Sequence, residues 1–149
     1  MSAISLDDLE AMWAADAKMD LTEPSKEMTR IPVLHAKYRK HLNYHTLMVK
    51  KLLGEAKRLE QVKFDYYSGD LNNPEDLAEY GLDPWPKKVL RTDIPKYIAR
   101  DKDIIDLNMK ISLHTQIAET CESILKELNN RTFQLNGLIK WEMYLGGAN

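Results

Sequence analysis

The chain has 149 residues, of which 30% are charged and 44% hydrophobic, and its net charge is −2. This length suits one domain or one subunit of an oligomer. No apolar run approaches the roughly 18 residues of a membrane-spanning helix, and the acidic N-terminus lacks the features of a secretory signal. The single cysteine, Cys121, excludes an internal disulfide and a paired-cysteine zinc site, so we expect a reducing, cytoplasmic setting.

Charge is strongly segregated along the chain. Residues 1–24 have a net charge of −5, and residues 37–63 have +6, from eight Lys or Arg and two Glu. Residues 65–84 carry six acids and no base, and residues 87–102 return to +4. Local basic surfaces are therefore expected, separated by acidic ones.

The acidic arm, residues 1–24, predicts a short amphipathic helix. Ser5 and Asp8 form a capping pattern at its start. Apolar residues follow at helical spacing, namely Leu6, Leu9, Met12 and Trp13. Pro24 interrupts this pattern, and Pro32 suits the first turn of the next helix.

A long basic helix is predicted over residues 25–69. Its apolar positions alternate steps of three and four residues, which is typical of a helix that packs on another along a seam. The seam consists of Tyr38, Leu42, His45, Val49, Leu52, Ala56 and Leu59. It continues through Lys63 to Tyr66, and Gly69 supplies a helix stop.

Directly after Gly69, residues 70–95 are predicted to form an acidic, proline-rich connector with four prolines and one glycine, Gly81. We expect one helical turn at residues 74–80 and otherwise a solvated loop. The role of its Pro84-Trp85-Pro86 unit is not indicated by any pattern.

A second long helix is predicted within residues 96–149, ending at Gly146-Gly147. Its seam keeps the same spacing and phase across Asn129-Asn130, which predicts one continuous helix. The residues assigned to packing and self-association are Ile104, Ile111, Ala118, Cys121, Leu125, Leu128, Leu135 and Ile139.

Together these patterns predict an all-α protein, a long antiparallel helical hairpin with coiled-coil-like seams and a short N-terminal helix. No strand alternation is evident. A single hairpin offers too little core for both seams and the apolar residues that flank them, so we expect a symmetric homo-oligomer.

No catalytic constellation stands out, and we expect neither an enzyme nor a cofactor. His41 and His45 share a helix face and could bind a metal, but no third ligand follows at a fixed spacing, so a core or surface role is favoured. Cys121 lies on the second seam, where a buried small hydrophobe is favoured over a nucleophile. Glycine-rich phosphate loops are absent from the sequence.

The basic helix is the most informative feature for function. Single-stranded nucleic acid is bound by basic grooves with aromatic faces on which bases stack. The residues that fit this chemistry are Lys50, Lys51, Lys57, Arg58, Lys63 and Tyr67. The alternative is that the lysines are the solvated flank of a coiled coil and that Tyr67 closes the turn. The excess of bases over acids favours the first interpretation, since a structural helix usually intersperses charges of both signs.

The stretch "DYYSG" closing a basic helix, the acidic connector, and then "RDKDIIDLNMKISLHTQIAETCESIL" resemble the UvsY family of recombination mediators from T-even-type phages. The resemblance covers residues 33–69 and 96–147. It implies a small, helical, ring-forming homo-oligomer that binds single-stranded DNA in the cytoplasm of the infected bacterial host. It also implies partners: a RecA-like recombinase of the UvsX type, and the phage single-strand-binding protein that the recombinase must replace.

The family's DNA-contact motif has a lysine, any residue and an arginine just before "DYYSG". Those basic places correspond to Gln61 and Lys63 here, so the first charge is missing. Lys57 and Arg58, about one turn earlier, are expected to compensate. The competing hypothesis is a structural coiled-coil scaffold or chaperone that does not bind nucleic acid.

Overall fold

The computed structural model describes residues 3–147, in which every regular element is helical. The α-helices are α1 (Leu6–Asp16), α2 (Pro24–Ser68), α3 (Pro74–Glu79), α4 (Ile94–Arg100) and α5 (Lys102–Leu145), with one 3₁₀ turn at Arg91–Asp93. The all-helical prediction is confirmed. No helix within the described residues has the length and apolar character needed to cross a membrane.

The chain divides into two compact units. One comprises residues 3–48 and 113–147 of the described chain, and the other comprises residues 49–112. Both long helices contribute a segment to each unit. Each unit is held by its own buried cluster, and each is described separately below.

In the first unit, α1 docks on the two long helices. Ser5 caps it by accepting a hydrogen bond from the Asp8 amide at 3.1 Å, as the sequence pattern predicts. Leu9 is fully buried with residues of both long helices, namely Leu34, Tyr38, Ile117, Cys121, Ile124, Leu125 and Leu128. The Tyr38 hydroxyl donates to Asp16 at 2.7 Å, which fastens the end of α1.

Helix α2 begins at Pro24 and runs through Pro32, so the expected fresh start at Pro32 is wrong. Pro24 suits a first turn because its missing N–H would have no partner there. A proline inside a helix removes one backbone hydrogen bond. Burial on either side of it holds the helix together, since Leu34 is buried and the Glu27 carboxylate accepts from Arg30 at 2.7 Å.

His45 lies fully buried on the predicted seam, facing α5. Its Nδ1 is 2.8 Å from Nδ1 of His114, so one ring donates and the other accepts. Burial first, and then the neighbouring His114 and His41, lower the pKa of His45 to about 4. His45 is therefore neutral at physiological pH.

In the second unit, most side chains of the connector are exposed, its acids among them, as the sequence predicts, but several of its apolar residues are packed, which the sequence prediction did not include. These apolar residues join a cluster with the end of α2 and with α4, built on Tyr66, Tyr67, Leu77 and Ile94. The indole of Trp85 lies 4.7 Å from the Tyr67 ring and 5.7 Å from the Tyr97 ring, measured between centroids. The Pro84-Trp85-Pro86 segment therefore anchors the connector through the apolar contacts of Trp85.

Helix α5 starts at Lys102 and not at residue 96, because Asp101 is extended and interrupts the helical backbone. Residues 94–100 form the separate helix α4. Beyond this break, α5 crosses Asn129-Asn130 without interruption, as the phase of its seam predicts. It ends near Gly147, whose φ of 74° is favourable only for glycine.

Candidate nucleic-acid interface

Four of the six predicted DNA-binding residues lie exposed on α2 in the second unit. They are Lys50, Lys51, Lys57 and Arg58. In the described chain, no carboxylate lies within ion-pair distance of any of them. Their charges are therefore available to an anion.

The helix places these four cations on one half of its circumference. Lys50 and Lys57 are one heptad apart, as are Lys51 and Arg58, and a heptad returns a side chain to within about 20° of the same direction. Leu52, which is buried, lies on the other side of the helix. Between residues 50 and 64, α2 has two acidic residues, Glu55 and Glu60, and both lie at the margins of this exposed half.

Lys63 does not lie on this surface, although the sequence prediction placed it there. Its side chain is 4% exposed, and Nζ lies 3.0 Å from Asp101 Oδ2 and 2.8 Å from Asp103 Oδ2. Burial opposes the charge of Lys63, but the hydrogen bonds to Asp103 and Asp101 outweigh it and raise the pKa. Its charge is neutralised within the chain by these two carboxylates.

Tyr67 is also buried, so its predicted role as a stacking platform does not fit its position. Its hydroxyl donates to Asp101 Oδ2 at 2.6 Å, and its ring packs on Trp85. Burial first, and then the bond to Asp101, raise the pKa of Tyr67. These contacts agree with the alternative interpretation, in which Tyr67 closes the turn at the end of α2.

Asp101 organises this corner; in the sequence it contributes to the family resemblance, but no structural role was assigned to it. Its Oδ1 accepts from the amides of Asp103 at 2.9 Å and Ile104 at 3.2 Å, which caps α5, while Oδ2 holds Lys63 and Tyr67. Burial opposes ionisation of Asp101, but the bonds from Tyr67 and Lys63 prevail and lower its pKa. An aspartate directly before an apolar helical repeat is the available sequence signal.

The residues predicted for packing and self-association are mostly buried within the single chain. Ile104, Cys121, Leu125, Leu128 and Leu135 are buried, and Ile111, Ala118 and Ile139 are partly buried. Burial raises the pKa of the Cys121 thiol to about 11, so the thiol is protonated and unreactive at neutral pH.

Other apolar side chains of α5 remain exposed in the single chain. Near its end these are Phe133, Trp141, Met143, Tyr144 and Leu145, and nearer its start Ile105, Met109 and Leu113. Within residues 3–147, no group of three or more His, Cys, Asp or Glu side chains is arranged to hold a metal ion.

Comparison with known proteins identifies the family. A family model described as "Recombination, repair and ssDNA binding protein UvsY" matches residues 12–148. The chain belongs to the UvsY family. The match spans both long helices and the connector between them, and the family is one of recombination, repair and single-stranded-DNA-binding proteins. No curated protein and no solved structure gives a significant match.

Proposed function

We propose that this UvsY-family protein is a recombination mediator. It binds single-stranded DNA and helps a RecA-like recombinase of the UvsX type replace the phage single-strand-binding protein. Family membership supports the DNA-binding and recombination part of this proposal. The loading role is proposed from the resemblance noted in the sequence. The same resemblance implies the two protein partners and the place in the cytoplasm of the infected host.

The observation that carries the proposal is the group of four exposed, unpaired cations on α2, Lys50, Lys51, Lys57 and Arg58. Cations that neutralise phosphates release condensed counterions, and this release drives binding that does not depend on base sequence. A mediator must bind whatever sequence the single-strand-binding protein covers. A surface of point charges along one helix suits this task and needs no cofactor or catalytic step.

Self-association is the second part of the proposal. The exposed apolar residues Phe133, Trp141 and Tyr144 recur at spacings of eight and three along α5, which places them on one face of the helix. An exposed apolar stripe of this kind is typical of an interface. We propose that copies of this chain cover it by forming a ring-like homo-oligomer.

A ring would repeat the basic surface of α2 in every subunit. Each copy contributes a modest number of phosphate contacts, but a continuous strand that touches several copies gains affinity from their high effective concentration. A strand held in this way would also be shaped by the ring, which would weaken its contacts with a competing protein.

The rival function is a structural coiled-coil scaffold or chaperone without nucleic-acid binding. A titration of a fluorescent oligothymidine, followed by anisotropy at 50 and 200 mM salt (about a fourfold range over which counterion release is readily measured), separates the two. The proposal expects binding that weakens steeply with salt. Absence of binding at low salt, with a folded and oligomeric protein, would contradict it and favour the scaffold.

The loading role needs its own measurement. The single-stranded-DNA-dependent ATPase activity of a UvsX-type recombinase should be low on DNA precoated with the single-strand-binding protein. Adding this protein should shorten the lag before activity appears. No change in the lag, when DNA binding has been established, would restrict the function to DNA binding alone.

A further inference from the structure

The connector carries a cation onto the surface of α2. Arg91 lies in the 3₁₀ turn of the second unit, and its side chain is exposed. Its guanidinium carbon is 5.6 Å from the centroid of the Phe64 ring, which belongs to α2. In the described part of the chain, no carboxylate lies within ion-pair distance of Arg91. The ring holds the guanidinium in place without neutralising its charge.

Phe64 is in register with two of the exposed cations. It follows Lys57 by one heptad and Lys50 by two, so the three side chains lie along one face at intervals of about 10.5 Å. Arg91 therefore continues the row begun by Lys50 and Lys57, one heptad beyond the last lysine. Its charge comes from the connector and not from the helix.

The helix itself offers no cation at this end of the row. Gln61, one turn before Phe64 on the same face, is uncharged and donates a hydrogen bond to Asp65 at 3.0 Å. Lys63 is buried in its ion pairs with Asp101 and Asp103. Without Arg91, the positive surface would stop at Arg58.

We propose that Arg91 is a nucleic-acid-binding residue that extends the DNA surface of α2 by contacting a backbone phosphate of single-stranded DNA. Phe64 acts as its positioning residue. The inference rests on the proposed function and adds to it a specific path, from Lys50 through Lys57 to Arg91. Two acids border this end of the path. Asp65 accepts a hydrogen bond from Gln61, and Asp70 lines a surface cleft together with Arg91. The strand therefore reaches Arg91 from the side of Lys57.

The test compares Arg91→Gln with Lys96→Gln in the full-length oligomer. Lys96 is an exposed cation of α4 near Arg91 in sequence, but it lies 3.6 Å from Asp93 and is not on the row. Affinity for a fluorescent oligothymidine is measured by anisotropy across a salt series. For Arg91→Gln we expect several-fold weaker binding and a salt slope smaller by about 0.7, the value for one lost phosphate contact on a single strand.

The Lys96→Gln control should bind like the unaltered protein. Equal losses in the two variants would mean that only net charge matters, and an unchanged slope in Arg91→Gln would also overturn the assignment. A rescue variant guards against indirect effects of the substitution. Gln61→Lys in the Arg91→Gln background restores a cation to the same face, and we expect it to recover most of the lost slope. Failure to recover would indicate that Arg91 acted through the fold of the connector.

A positioning role for Phe64 predicts a dependence on Arg91. Phe64→Leu keeps an apolar side chain but removes the aromatic face, so it should weaken binding when Arg91 is present and have little effect when Arg91 is Gln. Additive losses would contradict this role. If the unaltered protein does not bind DNA, the proposed function fails as well. If Lys57→Gln weakens binding and Arg91→Gln does not, only the present inference fails.

Discussion

The ammonium of Lys63 lies 3.0 Å from a carboxylate oxygen of Asp101, and both side chains are almost completely buried. This pair joins the end of α2 to the first turn of α5, because the same aspartate caps α5. Lys63, which the sequence analysis assigned to DNA binding, therefore stabilises the fold of the second unit. We therefore expect the charges that contact DNA to come from its exposed neighbours.

Replacing Lys63 by Met should destabilise the protein by roughly 3 kcal/mol or more, because breaking a buried ion pair leaves the other charge buried without its partner. The free energy of unfolding, measured by urea denaturation, tests this expectation. Lys57→Met is the matched control, since Lys57 is exposed and unpaired and its replacement should change stability by less than about 0.5 kcal/mol. Equal stability of the two variants would show that the pair contributes nothing.

Replacing Trp85 by Ala should release the connector from the second unit. Trp85 is partly buried and contacts the rings of Tyr66, Tyr67 and Tyr97, so its loss should cost up to about 3 kcal/mol, the value for a large buried aromatic side chain. Hydrogen exchange should then accelerate at Leu77 and its neighbours. Leu90→Ala is the control, because Leu90 is 72% exposed in the same connector. Unchanged exchange in Trp85→Ala would contradict the packed connector.

Acid should destabilise the first unit through His45. The pKa of His45 is lowered from 6.5 to about 4, so between these values the unfolded chain binds more protons than the folded chain. The free energy of unfolding therefore rises with pH across this window; the stability is complete above about pH 6.5 and is lost as the pH falls toward 4. At pH 5 the loss from this group is about 2 kcal/mol.

The groups that face His45 are His114 from α5 and His41 and Tyr44 from α2, with Lys37 adding its charge near His41. His45→Gln removes the titrating ring and keeps a polar side chain at this site. Urea denaturation at pH 7 and pH 5 should show a smaller loss of stability in this variant than in the unaltered protein. Identical losses would assign the acid sensitivity to other groups.

Replacing Phe133 and Trp141 by Ser should lower the mass of the native particle, measured by light scattering. Both side chains are more than half exposed in the single chain, so their apolar surface is available to a second copy. The control carries the same change at Leu90, which is equally exposed but lies in the connector. A particle of unchanged mass in the double variant would place the subunit contact elsewhere.

The two long helices and the capped α1 were predictable because their signals are local. Apolar spacing of three and four residues fixes a helix and its buried face, and it correctly carries α5 across Asn129-Asn130. Pro32 misled the prediction because tertiary burial of neighbours such as Leu34 overrides a local helix penalty. Periodicity also assigned Tyr66 to packing, and its hydroxyl donates to the Asp83 carbonyl at 2.6 Å.

The candidate site was only partly predictable, because burial of a charge depends on partners far away in sequence. Lys63 finds its carboxylates about 40 positions later, and nothing in the spacing of α2 announces them. Arg91 contacts Phe64 across 27 positions of the sequence, in a unit where Phe64 and Trp85 pack against the same cluster. Exposed cations such as Lys57 were easier to predict, since a solvated position needs no partner.

The most direct test of the central claim is the affinity of Lys57→Gln/Arg58→Gln for a fluorescent oligothymidine, measured by anisotropy across a salt series. The matched control is Lys110→Gln/Lys126→Gln, which removes two exposed cations from α5 and changes the net charge equally. We predict that the first variant binds at least tenfold more weakly, with a salt slope smaller by about 1.4 for two lost phosphate contacts, while its particle mass is unchanged and the control binds normally. Unaltered binding by the α2 variant would contradict the assignment of the DNA surface to α2.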